Sequence, residues 1–455
     1  MADIFEFDED VLASDVSKLS LGRPGEVALE SSERDDIVGD LYQYPASNPI
    51  SISKTQHRRT GSTGSLLVGS AGSLTNRLGK SFEVDIAEPF VSSYAQESTM
   101  VENSQLRRKI VPDDFEPLKV LGQGTYGKVL LVRERSSGRL YAQKQLKKAS
   151  MIVEEKKIQM TKTEKEILES VRHPYIVKLF YALQDQSKLY LILEYAQGGE
   201  LFHHLNNQAM LSEDTVSFYA AEIILALNHL HRNVGVVYRD LKPENCLLDA
   251  DGHLVLTDFG LSKVSTDDSD RCRTFLGTPE FMAPEILKGD PYDYAVDWWS
   301  LGAVCYNLLT GSPPFPGNNH TMILRKIQKA KRPDFPFFLS ADAQDILTRL
   351  LRKEPRRRLG SDDFEKSIKP HRFFRKLDWR KLEVRDPSIV PPIQPLITDP
   401  ELAENFSTEF TDMVVDDGYE SQPIPIDGKG GKEDGSHPFQ GFSFTASQSF
   451  IDCAY

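Results

Sequence analysis

The spacing of apolar residues changes near the middle of this chain, and that change limits the fold more than any other feature. Strand-like runs cover residues 115–121, 127–134, 140–146 and 189–195, with one helical stretch at 154–170. Beyond Gly198 and Gly199 the pattern is mainly helical, over residues 212–232, 295–309, 321–330 and 341–352. A strand-rich half followed by a helix-rich half predicts an α+β protein of two lobes, a small lobe at 115–196 and a large lobe at 197–374.

The two ends of the chain differ in composition from this middle. Residues 1–114 are rich in Ser, Thr, Gly and acidic groups, which bury too little apolar surface to offset the entropy of ordering, so we expect a disordered regulatory region there. Residues 375–455 are punctuated by proline and then acidic, and we expect them to form a regulatory tail. The net charge of −13 divides into −8 for residues 1–100 (16 acidic, 8 basic), −10 for residues 399–455 (12 acidic, 2 basic) and +5 for the remainder. The acidity therefore belongs to the ends.

Several classes of protein are excluded by what the sequence lacks. No apolar run approaches the ~18 residues needed to span a bilayer, and the acidic start does not resemble a secretory signal. The four cysteines are far apart and show no metal-ligand spacing, which is typical of a reducing compartment. We expect a cytoplasmic protein, with the nucleus open as a second location, and neither membrane insertion nor a nucleic-acid partner. The sequence does not indicate the oligomeric state.

The first motif with chemical content is Gly122-Gln123-Gly124-Thr125-Tyr126-Gly127-Lys128-Val129. In a dinucleotide-binding fold such a glycine motif opens a helix. Here strand-like residues follow it, which favours a hairpin that folds over phosphate groups. A plain glycine-rich turn is the alternative, and the motif by itself does not decide between them.

A lysine in the next strand needs a partner. Lys144 lies among largely apolar neighbours, and an ammonium that points inward must be paired. Glu164, in the helical stretch that follows, is the candidate, although a helix glutamate by itself is more often only solvated.

Three further motifs follow in the helical half. They are Tyr238-Arg239-Asp240-Leu241-Lys242-Pro243-Glu244-Asn245, Thr257-Asp258-Phe259-Gly260 and Gly277-Thr278-Pro279-Glu280-Phe281-Met282-Ala283-Pro284-Glu285. A lone Asp-Phe-Gly is a common turn, but the whole set in this order and spacing excludes chance.

Together these motifs resemble the signature of the eukaryotic protein kinases, over roughly Phe115 to Phe374. The resemblance implies a bilobal fold, with a small antiparallel β-sheet lobe and a larger helical lobe, and ATP and Mg²⁺ as cofactors. It implies that Asp240 accepts the proton of the substrate hydroxyl and that Lys242 neutralises the moving phosphoryl group. Lys144 would bind the α- and β-phosphates and pair with Glu164, and Asn245 and Asp258 would hold the metal ions. A kinase fold that only binds nucleotide, as a scaffold, is the alternative function of a different class.

The resemblance also assigns the nucleotide site. The three glycines would let the backbone approach the phosphates, and Glu194 and Ala196 would offer backbone groups to the adenine. The full set of expected nucleotide-binding residues is Leu121, Gly122, Gln123, Gly124, Thr125, Tyr126, Gly127, Lys128, Val129, Ala142, Lys144, Leu193, Glu194, Ala196, Leu247 and Thr257.

Within the kinases, the sequence is most similar to the AGC group of serine/threonine kinases. Tyr238 stands before Arg239-Asp240, as is usual there, and Thr274 is the expected activating phosphosite for an upstream kinase. Glu200 and Glu244 resemble the acidic pair that binds arginines upstream of a target Ser or Thr, and Thr278 completes the expected substrate site. Asn307 stands where the group often has an acidic residue, which weakens selection for the basic residue nearest the target. Other branches of the group, dependent on cyclic nucleotides or phospholipids, are the alternative.

The C-terminal tail resembles that of the same group. Pro391–Pro395 resembles a segment that packs on the small lobe, and Phe406–Thr411 resembles the tether that reaches the nucleotide. Phe439–Phe444 matches the hydrophobic motif, with Ser443 as its phosphosite, and its aromatic residues are expected to dock beside the Glu164 helix. The Thr-Pro turn motif that the group carries between these two segments is absent from the sequence.

A short motif at the start narrows the subgroup. Phe5-Glu6-Phe7-Asp8-Glu9 is similar to the signalling motif through which the TOR complex recruits its substrates, although an acidic disordered end is the plain alternative. With the hydrophobic motif at the other end, the combination resembles the ribosomal-protein S6 kinases in a fungal form. It implies a TOR complex as partner, acting through Phe5–Glu9 and Ser443, and basic protein substrates.

Overall fold

The computed structural model describes residues 109–124, 127–152, 155–264, 278–415 and 438–453. All described residues belong to one compact unit, Val101–Tyr455. The predicted α+β architecture is confirmed, with an antiparallel sheet in the small lobe and helices in the large lobe.

The small lobe is built on a 6-stranded antiparallel sheet of order β1-β2-β3-β5-β4-β11. Apolar residues fill both faces of its central strands: Leu131, Val132 and Tyr141 are fully buried. The strands are β1 (Phe115–Gly124), β2 (Gly127–Glu134), β3 (Leu140–Lys147), β4 (Leu179–Gln184), β5 (Lys188–Leu193) and β11 (Phe444–Thr445). The last of these comes from the C-terminal tail, which the sequence did not indicate.

Two helices lie between β3 and β4. They are α1 (Lys148–Ile152) and α2 (Glu155–Ser170). The buried side of α2 carries Glu164, Ile167 and Leu168, and α2 contacts β4. One carboxylate among the apolar residues of this buried face identifies Glu164 as a group that needs a partner.

The large lobe has two central helices that are buried on nearly all sides, α4 (Glu213–His229) and α6 (Ala295–Thr310). Helix α4 begins where the Ser212 side chain accepts a hydrogen bond from the Thr215 amide, and α6 ends at Gly311 in a left-handed conformation. The other helices of this lobe are α3 (Leu201–Gln208), α5 (Pro284–Leu287), α7 (His320–Lys329), α8 (Ala341–Leu350) and α9 (Phe364–Ser367).

Short strands connect the lobes and the catalytic motifs. One sheet has the order β6-β8-β9, and a second pairs β10 with β7. Their bounds are β6 (Gly199–Glu200), β7 (Val236–Val237), β8 (Cys246–Leu248), β9 (Leu254–Leu256) and β10 (Lys263–Val264). Because the motifs lie in the loops at the ends of these strands, the small sheets fix their relative positions.

The tail returns from the large lobe to the small lobe. It includes α10 (Trp379–Glu383), α11 (Thr408–Thr411), β11 and α12 (Gln448–Cys453). Leu382, Ile393, Phe439 and Phe442 are buried in the same hydrophobic core as α4 and α6. Among the described residues, no helix has the length and apolarity to cross a bilayer.

Candidate active site

Asp240 and Asn245 are hydrogen-bonded to each other in the loop between β7 and β8. The side-chain amide of Asn245 donates to the Asp240 carbonyl and to its carboxylate Oδ2, both at 2.8 Å. The Lys242 Nζ lies 3.2 Å from the same Oδ2. The structure therefore brings together three of the residues to which the sequence assigned catalysis or metal binding.

A buried carboxylate on α6 fixes the backbone of this loop. Asp297 is fully buried and accepts hydrogen bonds from the amides of Tyr238 and Arg239, each at 2.8 Å. It also contacts the His231 ring at 2.7 Å. Arg239 has a φ of 68°, a strained conformation for a residue with a Cβ. Asp297 thus stabilises the turn that presents Asp240.

Lys144 lies between two carboxylates. Its Nζ is 2.7 Å from Glu164 Oε1 and 2.9 Å from Asp258 Oδ1. Asp258 follows β9 with a φ of 55°, and the next residue, Phe259, is buried with its ring 5.2 Å from that of Tyr238. The pairing of strand β3, helix α2 and the loop after β9 at one ammonium is the central feature of the site.

The pKa values of this cluster follow from burial and charge. Burial disfavours the Lys144 ammonium, but the charges of Asp258 and Glu164 outweigh it and raise the pKa of Lys144. The Lys144 charge lowers the pKa of Asp258, so that carboxylate stays ionised. Burial raises the pKa of Asp240, against the opposing effects of Lys242 and Asn245. A raised pKa makes Asp240 a better proton acceptor than an exposed aspartate.

The glycine-rich segment forms the hairpin of β1 and β2 rather than the start of a helix. The register pairs Gly122 with Val129, Gln123 with Lys128 and Gly124 with Gly127. The two expected nucleotide-binding residues between them, Thr125 and Tyr126, lie outside the described residues.

The three glycines of this hairpin are explained by different physical causes. A Cβ on Gly127 would lie 1.8 Å from the Gln145 carbonyl oxygen in β3, so packing requires glycine there. Within the described part of the chain, no atom lies within 4 Å of a Cβ added to Gly122 or Gly124. Internal packing therefore does not explain these two glycines, whereas the close approach of a ligand does.

The expected adenine-binding residues line the junction of the lobes. Leu121, Val129 and Ala142 belong to one apolar cluster, and Ala142 lies opposite Leu193 across strands β3 and β5. From the large lobe, Leu247 lies in β8. Thr257 follows β9 and donates through its hydroxyl to the Asn245 carbonyl at 3.2 Å.

The linker between the lobes supplies the expected polar groups. The Glu194 amide already donates to the Lys178 carbonyl at 2.9 Å, and its carboxylate pairs with the Lys178 ammonium. The Ala196 carbonyl accepts from the Gly199 amide at 3.1 Å. Within the described residues, the Glu194 carbonyl and the Ala196 amide form no hydrogen bond, so these two backbone groups are open for the expected contact with adenine. The Glu194 side chain has a structural partner.

The donor set suits a magnesium–nucleotide complex. Among the described residues no group of three His, Cys, Asp or Glu side chains forms a metal site by itself. Asp258 and Asn245 supply hard oxygen ligands, which is the sparse set that Mg²⁺ uses when phosphate oxygens complete its shell. The two residues therefore fit a metal that arrives with ATP.

Two carboxylates lie at the expected peptide site. Glu200 in β6 is half-buried and pairs in register with Leu247, while Glu244 is exposed. Burial and the nearby Glu244 charge raise the pKa of Glu200.

Thr278 lines the same small cavity as Asp240. On α6, Asn307 is buried, and its Oδ1 accepts no hydrogen bond within the described part of the chain.

The regulatory positions are only partly described. Thr274 and the Phe5–Glu9 motif lie outside the described residues. Ser443 is exposed, while Phe439 and Phe442 are buried in a cluster that also contains Ile167 and Leu168 of α2. The Lys165 ammonium of α2 lies 5.7 Å from the centre of the Phe444 ring, so the hydrophobic motif docks beside the Glu164 helix.

Two contacts between the linker and the tail were not predicted from the sequence. The Phe406 ring stacks on Tyr195 at 5.9 Å, and the Asn405 side chain donates to the Gln197 carbonyl at 3.1 Å. A Cβ on Gly199 would lie 1.9 Å from the Asn405 carbonyl oxygen. The second glycine of the Gly198-Gly199 pair was the available signal, because its φ of 70° and this approach both require glycine.

Comparison with known proteins agrees with this geometry. The protein kinase domain family matches residues 115–374, and the protein kinase C-terminal domain family matches residues 397–444. Serine/threonine-protein kinase YPK3 of Saccharomyces cerevisiae is 44% identical over 416 residues, which cover 78% of this chain and 78% of that protein.

Mammalian relatives are similar over a shorter share of their length. Ribosomal protein S6 kinase alpha-2 of Mus musculus is 46% identical over 343 residues, and ribosomal protein S6 kinase alpha-1 of Homo sapiens is 46% identical over 344 residues. Each match covers 74% of this chain but only 45% of the relative, so the chain spans less than half the length of these two proteins. The chain belongs to the protein kinase family, as a serine/threonine kinase of the AGC group that is similar to the ribosomal protein S6 kinases.

Proposed function

We propose that this kinase transfers the γ-phosphoryl group of MgATP to Ser or Thr residues that lie downstream of arginine in protein substrates. The observation that carries the proposal is the contact of Lys144 with both Glu164 and Asp258, beside an Asp240 bound by Asn245 and Lys242. Phosphoryl transfer depends on positioning and charge compensation, and these residues supply both.

The proposed reaction is one in-line displacement. The substrate hydroxyl oxygen forms a bond to the γ-phosphorus while the bond from that phosphorus to the ADP oxygen breaks. Asp240 accepts the hydroxyl proton, and Lys242 compensates the charge of the transferring group. Asn245 and Asp258 would hold Mg²⁺, which would supply positive charge beside the phosphate oxygens of the nucleotide. Lys144 fixes the other phosphates while Glu164 fixes Lys144.

The proposed selectivity for arginine rests on Glu200 and Glu244. Burial and the nearby Glu244 charge together raise the pKa of Glu200, so the two carboxylates form a local negative site in a middle segment that is otherwise mildly basic. A guanidinium relieves that repulsion and binds carboxylates in a planar, directional manner. Selection for basic peptides thus depends on these placed groups and not on net charge.

The catalytic test uses purified full-length protein, MgATP and an Arg-x-Arg-x-x-Ser peptide. We expect phosphate transfer to the serine, and Asp240→Asn to lower kcat by about 10²- to 10⁴-fold. Asparagine keeps an acceptor oxygen for Asn245 but cannot take the proton, and unchanged thermal unfolding controls for the fold. Equal transfer by the wild type and Asp240→Asn would contradict the catalytic role.

We further propose regulation by phosphorylation of Thr274 and Ser443 in a TOR-dependent pathway, in the cytoplasm with the nucleus as a second location. Support comes from the docked hydrophobic motif, from the Phe5–Glu9 sequence and from relatives named as ribosomal protein S6 kinases. A ribosomal protein is accordingly the proposed substrate class. Phosphopeptide mapping in growing, starved and TOR-inhibited cells tests this. Ser443 phosphorylation that persists under inhibition, or is unchanged by Phe5→Ala, would contradict it.

A further inference from the structure

The chain continues past the hydrophobic motif, and the described part of this continuation docks on the small lobe. Strand β11 pairs antiparallel with β4, with Phe444 opposite Ala182 and Thr445 opposite Tyr181. The next amide, of Ala446, donates to the Phe180 carbonyl at 2.9 Å. The tail therefore covers the β4 edge of the sheet that would otherwise be open to solvent.

Apolar side chains of α12 extend this contact. Ala446 and Ile451 are 5% and 4% exposed and belong to the cluster of Phe115, Tyr141 and Phe180. The Phe450 ring lies 5.8 Å from the Phe180 ring. A short helix that leaves the protein surface would expose this apolar face, so its packing favours the docked state.

Two arginines of the small lobe bind the same helix. Arg139 donates to the Ile451 carbonyl at 3.3 Å and lies 3.6 Å from the Asp452 carboxylate. The Arg172 guanidinium lies 4.1 Å from the centre of the Phe450 ring. The contact between α12 and the small lobe thus includes charged and cation–π interactions in addition to apolar packing.

Arg172 also connects α12 to the helix that carries Glu164. Its NH1 donates to the Leu168 carbonyl in the last turn of α2 at 3.3 Å, and to the carbonyl of Val171, the residue after α2, at 2.7 Å. Phe439 and Phe442 are buried in the main core, and the Lys148 ammonium of α1 lies 5.2 Å from the centre of the Phe439 ring. The Lys165 ammonium of α2 lies 5.7 Å from the centre of the Phe444 ring. The tail therefore contacts α2 through Phe444 of the hydrophobic motif and, through Phe450, the arginine that follows α2.

We propose that Thr445–Cys453 is an intramolecular clamp that fastens the hydrophobic motif to the small lobe and keeps the Lys144–Glu164 ion pair formed without a phosphate on Ser443. The inference rests on the proposed role of this motif as a regulator of the kinase. On its other side, the motif is connected to the rest of the chain through residues 416–437. Anchoring its second end raises its effective concentration at its own docking site.

The test compares hydrogen exchange in four full-length or nearly full-length proteins. They are the wild type, a chain that ends at Thr445, Phe450→Ala, and Ser449→Ala as the control on the exposed side of the helix. We expect amides of residues 438–445 and of β4 to exchange about tenfold faster in the shortened chain, with a smaller increase in Phe450→Ala and none in Ser449→Ala. Unchanged exchange in the shortened chain would overturn the proposal.

Activity provides the second readout. Ser443→Ala is introduced separately into the full-length chain and into the shortened chain. We expect this substitution to lower kcat/KM by less than about threefold in the full-length chain, and by about tenfold or more in the shortened chain. An equal fall in both would overturn the clamp as a substitute for the phosphate. Exchange rates do not depend on the peptide, so failure of arginine selectivity lowers turnover in every variant but leaves the exchange pattern intact.

Discussion

At the residue scale, the active site is a small network in which one cation serves two carboxylates. Lys144 contacts Glu164 and Asp258 together, and Asp258 also influences the pKa of Asp240. Nucleotide phosphates would compete with Asp258 for the Lys144 ammonium. Glu164 is buried, and it would remain the fixed partner of Lys144. Substrate binding therefore exchanges one anion for another and leaves the charge of the site compensated.

The raised pKa of Glu200 gives a pH prediction. Arginine binding requires the carboxylate form, and burial together with the Glu244 charge makes Glu200 protonate at a higher pH than an exposed glutamate. The KM for an arginine peptide should therefore rise as the pH falls below neutral. The raised pKa of Asp240 lowers kcat in the same direction. The measurement is thus the ratio of KM between an arginine peptide and its alanine analogue. A ratio that does not change with pH, or that Glu200→Gln leaves pH-dependent, would contradict the assignment.

The buried ion pair of Arg358 and Glu285 gives a stability prediction. Arg358 is 2% exposed and bonds the carboxylate through both terminal nitrogens, at 2.6 and 2.9 Å. Arg358→Ala leaves a buried charge without a partner, and we expect a loss of about 3–5 kcal/mol in unfolding free energy. The matched control is Arg357→Ala. It removes an exposed pair with Glu354, at 3.2 Å, and should change stability by about 0–1 kcal/mol. Equal effects in chemical denaturation would contradict the structural role.

At the element scale, the fold and most of the catalytic cluster could be predicted, and the tail contacts could not. The period of apolar residues located α2, α4, α6, α7 and α8 within a few residues. Strand β11 has only two residues and no alternating pattern, because it is defined by pairing with a distant edge. In the same way Phe406 and Tyr195 meet only through tertiary structure, and no local spacing indicates such a contact.

Gly199 gives the prediction at this scale. Gly199 and Gly138 have nearly equal positive φ values, 70° and 72°. Of the two, only Gly199 has atoms of the described residues within 4 Å of an added Cβ. Gly138→Ala therefore measures the conformational penalty alone, about 1–2 kcal/mol. Gly199→Ala adds a clash with the Asn405 backbone and should release the tail from the linker. We expect a larger loss of stability and faster proteolysis near Asn405 only in Gly199→Ala. Equal stability losses in the two variants would show that the tail contact contributes nothing.

For the whole molecule, the lobes and the tail share one hydrophobic core. The cluster that contains Leu168 of α2 and Leu301 of α6 also contains Leu382, Ile393 and Phe439 of the tail. Two hydrogen bonds join the same parts, from the Tyr175 hydroxyl to the Leu382 carbonyl at 2.6 Å and from the Ile393 amide to the Tyr219 hydroxyl at 3.2 Å. The segment after the catalytic lobes is therefore part of the folding unit as well as a regulatory element.

Successive truncations should separate these contributions. A chain that ends at residue 415 loses Phe439 and Phe442, and a chain that ends at residue 374 also loses Leu382, Ile393 and Phe406. Each fully buried apolar side chain contributes roughly 1.5–3 kcal/mol, while typical stabilities are about 5–15 kcal/mol. We therefore expect the apparent Tm to decrease from the full chain to the first truncation, and the second truncation to be largely unfolded. Thermal denaturation with sensitivity to chymotrypsin measures both steps. If the chain that ends at residue 374 keeps the Tm of the full chain, the tail does not share the core, and its buried residues only cover a core that is already complete.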